Sequence, residues 1–286
     1  MNIVVAVDWQ DQSQSALQEI LDFYKPNELT LVHAVDLGAL DSPPIAIDRA
    51  SYQEYERAKR RFLDQAGEQL RQLAAQVQQD VPVVKQVSTA GDPETVILQV
   101  VTSTAADLVA VGHRGLRQFA GFAMGSVSQL VLLHATCATL IVKGTPKKPQ
   151  RVIIAVKGPD DAERIAAWLL AHPFQRPMEL LVVHVVPCPP FAFLTGEHVV
   201  KSWTQGAAAS AQQLVDGMAA ALNGPHYSAT GRVAVGDATE TIARGLGPRD
   251  LLVVSSHGRR AMHRMIFGSV SHSLVHRVEG SVLVVR

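Results

Sequence analysis

The sequence predicts an α/β protein with two tandem, doubly wound domains, each built on a five-stranded parallel sheet. Short apolar runs rich in valine and isoleucine alternate with longer amphipathic segments, which is typical of parallel strands covered by helices on both faces. The second half of the chain then repeats the pattern of the first. With 286 residues, 47% of them hydrophobic, the chain is long enough for each half to bury its own core.

The repeat is visible from the first residues of each half. The segment NIVVAVD at 2–8 parallels RVIIAVK at 151–157. Between the halves, the segment GTPKKPQ at 144–150 interrupts the apolar pattern with prolines and lysines, as a domain boundary does. We therefore expect one domain at 1–145 and a second at 150–286.

Apolar, β-branched runs predict five strands in the first half. These strands are expected at 2–7, 29–35, 82–88, 107–111 and 138–143. The amphipathic segments between them predict helices at 12–24, 51–79, 93–104 and 125–134. The charged face of the long segment 51–79 is expected to contact solvent, with an interaction surface as the alternative.

Candidate ligand-binding residues follow the predicted strands. In doubly wound sheets, ligands bind beyond the carboxyl ends of the strands, where the strand order reverses. Asp8 follows the first strand, Ala34, Val35 and Asp36 end the second, and Gly112 follows the fourth. The sequence thus predicts a binding site at this edge.

The segment GHRGLRQFAGFAMGS at 112–126 spaces three glycines as G-x2-G-x9-G and follows the last with a serine. Such glycines suit a tight turn or close approach to a ligand. Amides at the start of the following helix, with the hydroxyls of Ser126 and Ser128, suit a phosphate. The alternative is that the glycines only shape a connection and Ser126 is an ordinary N-cap. A P-loop motif does not occur.

These features resemble a tandem universal stress protein over nearly all of both halves. The resemblance implies a flavodoxin-like fold and an ATP site, in which the glycine loop wraps the phosphates and ribose. It also implies that the aspartate after the first strand contacts the nucleoside, and that backbone ending the second strand meets the adenine. The matching residues are Ala6, Val7, Asp8, Ala34, Val111, Gly112, Arg114, Gly115, Gly125, Ser126, Val127 and Ser128.

The second half departs from this pattern at two positions. Lys157 stands where the first half has Asp8, and Ser255 replaces the first glycine of the loop. A lysine removes the acceptor expected for ribose, although it can reach a phosphate as a point charge. The residues left for a weaker second site are Gly258, Gly268, Ser269, Val270 and Ser271. We therefore expect one tight adenine nucleotide per chain, bound in the first half.

Composition argues against several other classes of protein. Basic and acidic residues number 26 each, so no bulk charge attracts nucleic acid or a membrane. Cys137 and Cys188 are expected to be buried free thiols. Four histidines stand out in the second half, namely His257, His263, His272 and His276. Their irregular spacing favours a solvated or capping role over a metal site.

The leading functional hypothesis is a stress or signalling protein that binds ATP, with or without Mg²⁺. No nucleophile is evidently paired with a base, so we expect at most weak ATP hydrolysis. A slow ATPase and a nucleotide-free scaffold stay open as alternatives. Neither a leader nor an apolar stretch of about 20 residues is evident, so a cytoplasmic location is expected.

The final strand of each half predicts how the halves assemble. The segments CATLIVKG at 137–144 and GSVLVVR at 280–286 are apolar and end their halves. The resemblance implies that such strands pair between domains, which gives a pseudo-symmetric dimer within one chain. Further association into a homodimer stays open.

Overall fold

The computed structural model of the chain describes residues 1–8, 11–37, 48–113, 124–144, 148–188, 197–256 and 268–286. The first half contains β1 (Asn2–Ala6), α1 (Asp11–Phe23), β2 (Glu28–Val35), α2 (Arg49–Val77), β3 (Val83–Ala90), α3 (Pro93–Ser103), β4 (Leu108–Gly112), α4 (Ser126–His134) and β5 (Ala138–Val142). The second half contains β6 (Arg151–Ala155), α5 (Pro159–Ala171), β7 (Met178–Val186), α6 (Glu197–Leu222), β8 (Tyr227–Val235), α7 (Ala238–Gly245), β9 (Asp250–Ser255), α8 (Ser269–Arg277) and β10 (Val282–Val285).

All ten strands form one sheet in the order β3-β2-β1-β4-β5-β10-β9-β6-β7-β8. Within each half every strand pair is parallel, and the chain winds outward from the first strand in both directions. The strand order therefore reverses between β1 and β4 in the first half, and between β6 and β9 in the second. These findings confirm the predicted α/β class and its five-stranded halves.

The two halves join through the antiparallel pair β5 and β10 at the centre of the sheet. Leu283 lies opposite Leu140, with Val282 opposite Ile141. Every other strand pair of this sheet is parallel. The strand direction therefore reverses where β5 meets β10, as a pseudo-twofold relation between the halves requires. The predicted pairing of the terminal strands is confirmed.

Each face of the sheet buries one apolar core that extends across both halves. Because successive strand residues point to opposite faces, Ile3 and Val5 contribute to one core and Val4 to the other. The helices α1, α2, α5 and α6 cover the first core with residues such as Leu17, Leu70, Ile165 and Val215. The helices α3, α4, α7 and α8 cover the second with residues such as Val100, Leu132, Ile242 and Leu274. Neither core belongs to one half alone.

The outermost strands depart from the prediction that every strand is covered on both faces. Most residues of β3 are exposed, and Val83 and Val235 keep 45% and 51% of their surface exposed. Both β3 and β8 are edge strands, and an edge strand has a neighbour on one side only. The polar residues Lys85, Gln86 and Ser88 of β3 agree with this position.

A Gly-Asp pair makes the turn after the third strand of each half. Gly91 and Gly236 have φ values of +151° and +141°, a region that side chains other than hydrogen rarely allow. The aspartate that follows then caps a helix: Asp92 accepts from the Thr95 amide at 3.2 Å, and Asp237 from the Glu240 amide at 2.8 Å. The Gly-Asp pair that recurs in both halves is thus explained by local backbone geometry.

The two cysteines differ in their surroundings. Cys137 is buried, and burial raises the pKa of its thiol to about 11. Cys188 is exposed, so the prediction of a second buried thiol is wrong. It lies just beyond β7, where the chain has left the sheet. Among the described helices, none is both long and apolar enough to cross a membrane.

Candidate functional site

The carboxyl ends of β1 and β4 flank the point where the strand order of the first half reverses. Val5 lies beside Ala110 in this parallel pair, so the residues that follow both strands reach the same edge. On the other side of β1, β2 ends beside it in parallel. The predicted site residues that the structure places at this edge are Ala6, Val7, Asp8, Ala34, Val111 and Gly112.

The helix α4 begins at the same edge, and its N-cap is Gly125. Ser126 is therefore the first helical residue and not the N-cap, and it is exposed. No side chain of the described residues caps this end by a hydrogen bond. The first amides of a helix lack partners within the helix, so this end offers donors and a partial positive charge.

A buried serine ties α4 to β4. The Ser128 hydroxyl donates to the carbonyl oxygen of Gly112, and the Ser128 side chain is 4% exposed. The Gly125 amide also donates to the His113 carbonyl at 2.9 Å. In this structure the Ser128 hydrogen is used to hold the helix against the strand, whereas the prediction gave it to a ligand. The second half repeats the contact, from the Ser271 hydroxyl to the Ser255 carbonyl at 3.3 Å.

His33 is a residue of this edge that sequence reasoning missed. Its Nδ1 lies 2.6 Å from the carbonyl oxygen of Val7, the residue before Asp8. A carbonyl oxygen only accepts, so Nδ1 carries the hydrogen. Burial lowers the pKa of His33, opposed by the Val7 hydrogen bond and by the charge of Asp8. The imidazole thus fixes the backbone that presents the Asp8 carboxylate.

The internal repeat held the signal for this histidine. His184 occupies the same place on β7, and its Nδ1 lies 3.0 Å from the Val156 carbonyl oxygen. The segments LTLVHAVD and ELLVVHVVP both contain the histidine. A histidine at the same place in two mainly apolar strands indicates a specific hydrogen bond.

Several predicted residues lie outside the described ranges. They are Arg114, Gly115 and Gly258, together with His257 and His263. Of the remaining second-site residues, Gly268 is the N-cap of α8, and Ser269, Val270 and Ser271 form its first turn.

Two of the four histidines singled out in the second half lie in α8. The rings of His272 and His276 lie 4.6 Å apart between centroids. Burial and then the neighbouring charges of His272 and Lys143 lower the pKa of His276. Among the described residues, no group of three or more His, Cys, Asp or Glu side chains is arranged to hold a metal ion.

At this edge the first half therefore combines a carboxylate acceptor with a helix start that lacks a side-chain cap. The model of the universal stress protein family matches residues 1–143 and again 148–286. The chain belongs to this family. Because the match occurs twice, it is a tandem universal stress protein.

Individual relatives agree with this assignment. A universal stress protein of Synechocystis sp. is 28% identical over 151 residues, which cover 49% of this chain and 96% of that relative. One of Mycobacterium bovis is 25% identical over 190 residues, 64% of this chain and 63% of the relative. A solved universal stress protein from Archaeoglobus fulgidus aligns over 100% of this chain and 98% of its own, with a TM-score of 0.62. Its identity is 18%, so this likeness shows the fold alone.

Proposed function

We propose that this universal stress protein binds one adenine nucleotide, ATP with or without Mg²⁺, in the crevice between β1 and β4. Bound nucleotide would then alter the partners of the protein in a stress or signalling response. The proposal includes the matching residues of the first half, with Ser128 holding α4 against β4. Arg114 and Gly115 belong to the segment outside the described ranges.

The observation that carries the proposal is the start of α4 without a capping side chain at the point of strand reversal. Gly125 has φ −63° and ψ 150°, which any residue adopts, so its backbone conformation does not require glycine. Glycine leaves the amides of Ser126 and Val127 open to a close ligand. A helix N-terminus of this kind suits a phosphate group.

The nucleoside end of the ligand would lie over β1 and β2. Asp8 supplies an acceptor for ribose hydroxyls, and the hydrogen bond from His33 to Val7 holds the adjoining backbone in place. The base would lie against the backbone at the end of β2, where the partly buried Ala34 has a small side chain. The proposal thus assigns the donors for the phosphates to the start of α4 and the acceptor for the ribose to the end of β1.

The direct test begins with mass spectrometry of ligand released from freshly purified, denatured protein, followed by titration calorimetry with ATP and Mg²⁺. We expect binding in the parent chain and at least about tenfold weaker binding in Asp8→Ala, since a hydrogen bond to a charged group contributes about 1.5–3 kcal/mol. Asp80→Ala removes a carboxylate near the opposite edge of the sheet and serves as the control.

The alternatives give different results in the same experiment. Absence of released nucleotide and of any heat on titration would favour the nucleotide-free scaffold. Release of labelled phosphate under single-turnover conditions would identify a slow ATPase instead of a binding protein.

A further inference from the structure

Arg164 crosses the crevice of the second half. It lies in α5, the helix that follows β6, and the neighbouring strand β9 forms the other side of the crevice. Its Nη1 donates to the Ser255 hydroxyl oxygen at 2.7 Å and to the Ser256 carbonyl oxygen at 3.3 Å. Both serines are 2% exposed; Ser255 ends β9, and Ser256 follows it. The side chain therefore joins the two sides of the point of strand reversal.

A buried carboxylate completes the contact on the β6 side. Asp161 is 6% exposed, and its Oδ2 accepts from the Lys157 amide at 3.1 Å. Its Oδ1 lies 3.8 Å from Nη1 of Arg164. A charge network thus links Lys157, shortly after β6, to the end of β9. Burial of Asp161 and of the two serines makes their contacts stronger than they would be in water.

The first half has small residues at the corresponding positions. Aligning DWQDQSQSAL at 8–17 with KGPDDAERIA at 157–166 places Ser15 opposite Arg164, and the loop alignment places Gly112 opposite Ser255. Serine extends one atom beyond Cβ and glycine has no side chain. The two larger residues of the second half complement each other, because the Ser255 hydroxyl accepts a hydrogen bond from the Arg164 guanidinium.

We infer that Arg164 closes the second crevice to nucleotide by spanning the space between the ends of β6 and β9 that the first half leaves for its ligand. This inference rests on the proposed function of the first half. The inference gives two reasons why the second half binds nucleotide less well. The Arg164 side chain occupies the space of the ligand, and Lys157 stands where the first half has Asp8.

Two variants that differ only at Arg164 test the inference. Lys157→Asp with Ser255→Gly should still bind one ATP per chain in calorimetry. Adding Arg164→Ser should raise the stoichiometry to two. The first-half site, present in both variants, reports that each has folded. A triple variant that stays at one equivalent, or a double variant that already binds two, overturns the inference.

Hydrogen exchange on the nucleotide-free chain gives a readout that does not depend on the proposed function. Arg164→Ser should accelerate exchange of the Lys157 and Ser256 amides at least about tenfold, because the side chain that ties Asp161 to the end of β9 is lost. Arg176→Ser removes an exposed arginine and is the matched control. Unchanged exchange contradicts closure by Arg164, whereas a parent chain that binds no ATP contradicts only the proposed function.

Discussion

Glu19 of α1 is a buried acidic residue, 5% exposed, that lies beside Ser281 of the second half. Burial raises its pKa from 4.5 to about 7, opposed by a hydrogen bond with the Ser281 side chain, and the charge of Asp22 raises it further. The folded chain thus holds a proton here that the unfolded chain releases at lower pH. The contribution of this group to the free energy of unfolding is therefore largest below about pH 4.5, and it falls as the pH rises to about 7.

Glu19→Gln should remove this pH dependence, because the amide stays neutral. The free energy of unfolding of the variant relative to the parent should rise by about 3 kcal/mol between pH 4.5 and 8. Urea unfolding at several pH values measures it, with the exposed Glu179→Gln as control. A difference that stays constant with pH would show that Glu19 is ionised in the folded chain.

His33 and His184 provide a matched pair, since each donates to the carbonyl after the first strand of its half. Either change to leucine leaves a carbonyl oxygen without this donor and should cost about 1–3 kcal/mol of stability. Only His33→Leu should also weaken ATP binding, because Val7 adjoins Asp8. Equal losses of ATP affinity in both variants would contradict the proposal that His33 positions Asp8.

Two helices are capped at their carboxyl ends by cations from the opposite half. Lys143 follows β5, and its Nζ donates to the carbonyl oxygens of Val275 and Val278 at the end of α8, each at 2.6 Å. Arg286 follows β10 and donates to the Leu132 carbonyl of α4. A positive charge at a helix carboxyl end is favourable, and here it also fastens one half to the other.

Lys143→Met should therefore destabilise the whole chain by about 2 kcal/mol, since it removes two charge-assisted hydrogen bonds. The denaturant midpoint should fall without a change in the slope of the transition. The exposed Lys148→Met is the control. Equal midpoints for both lysine variants would mean that the cap contributes nothing to joining the halves.

The sequence predicted the elements of the first half to within two residues at each end, because apolar periodicity and strand composition are local. The start of α2 came earlier than expected since Asp48 accepts from the Ala50 and Ser51 amides and caps the helix there. Contacts of Arg164 and Lys143 were not predictable. They join residues about 90 and 130 positions apart, and only the folded sheet brings these together.

At the scale of the whole molecule, the halves share both cores and a cluster of aromatic rings. Phe23 of α1 lies 5.4 Å from Phe174 between ring centroids, and Tyr24 lies 6.1 Å from Trp168. Residues 1–145 and 150–286 expressed separately should therefore aggregate or associate with themselves, and should form a 1:1 complex when coexpressed. Size-exclusion chromatography with light scattering distinguishes these states. Two stable, monomeric halves would contradict a shared core.

The central claim is that one half of a pseudo-symmetric chain binds nucleotide, and a matched pair of glycine variants tests it most directly. Gly125 and Gly268 cap α4 and α8 with φ of −63° in both cases, so valine costs each helix a similar amount of stability. Calorimetric titration with ATP should give one equivalent for the parent and for Gly268→Val, and no binding for Gly125→Val. Two equivalents in the parent, or loss of binding only in Gly268→Val, would contradict the account.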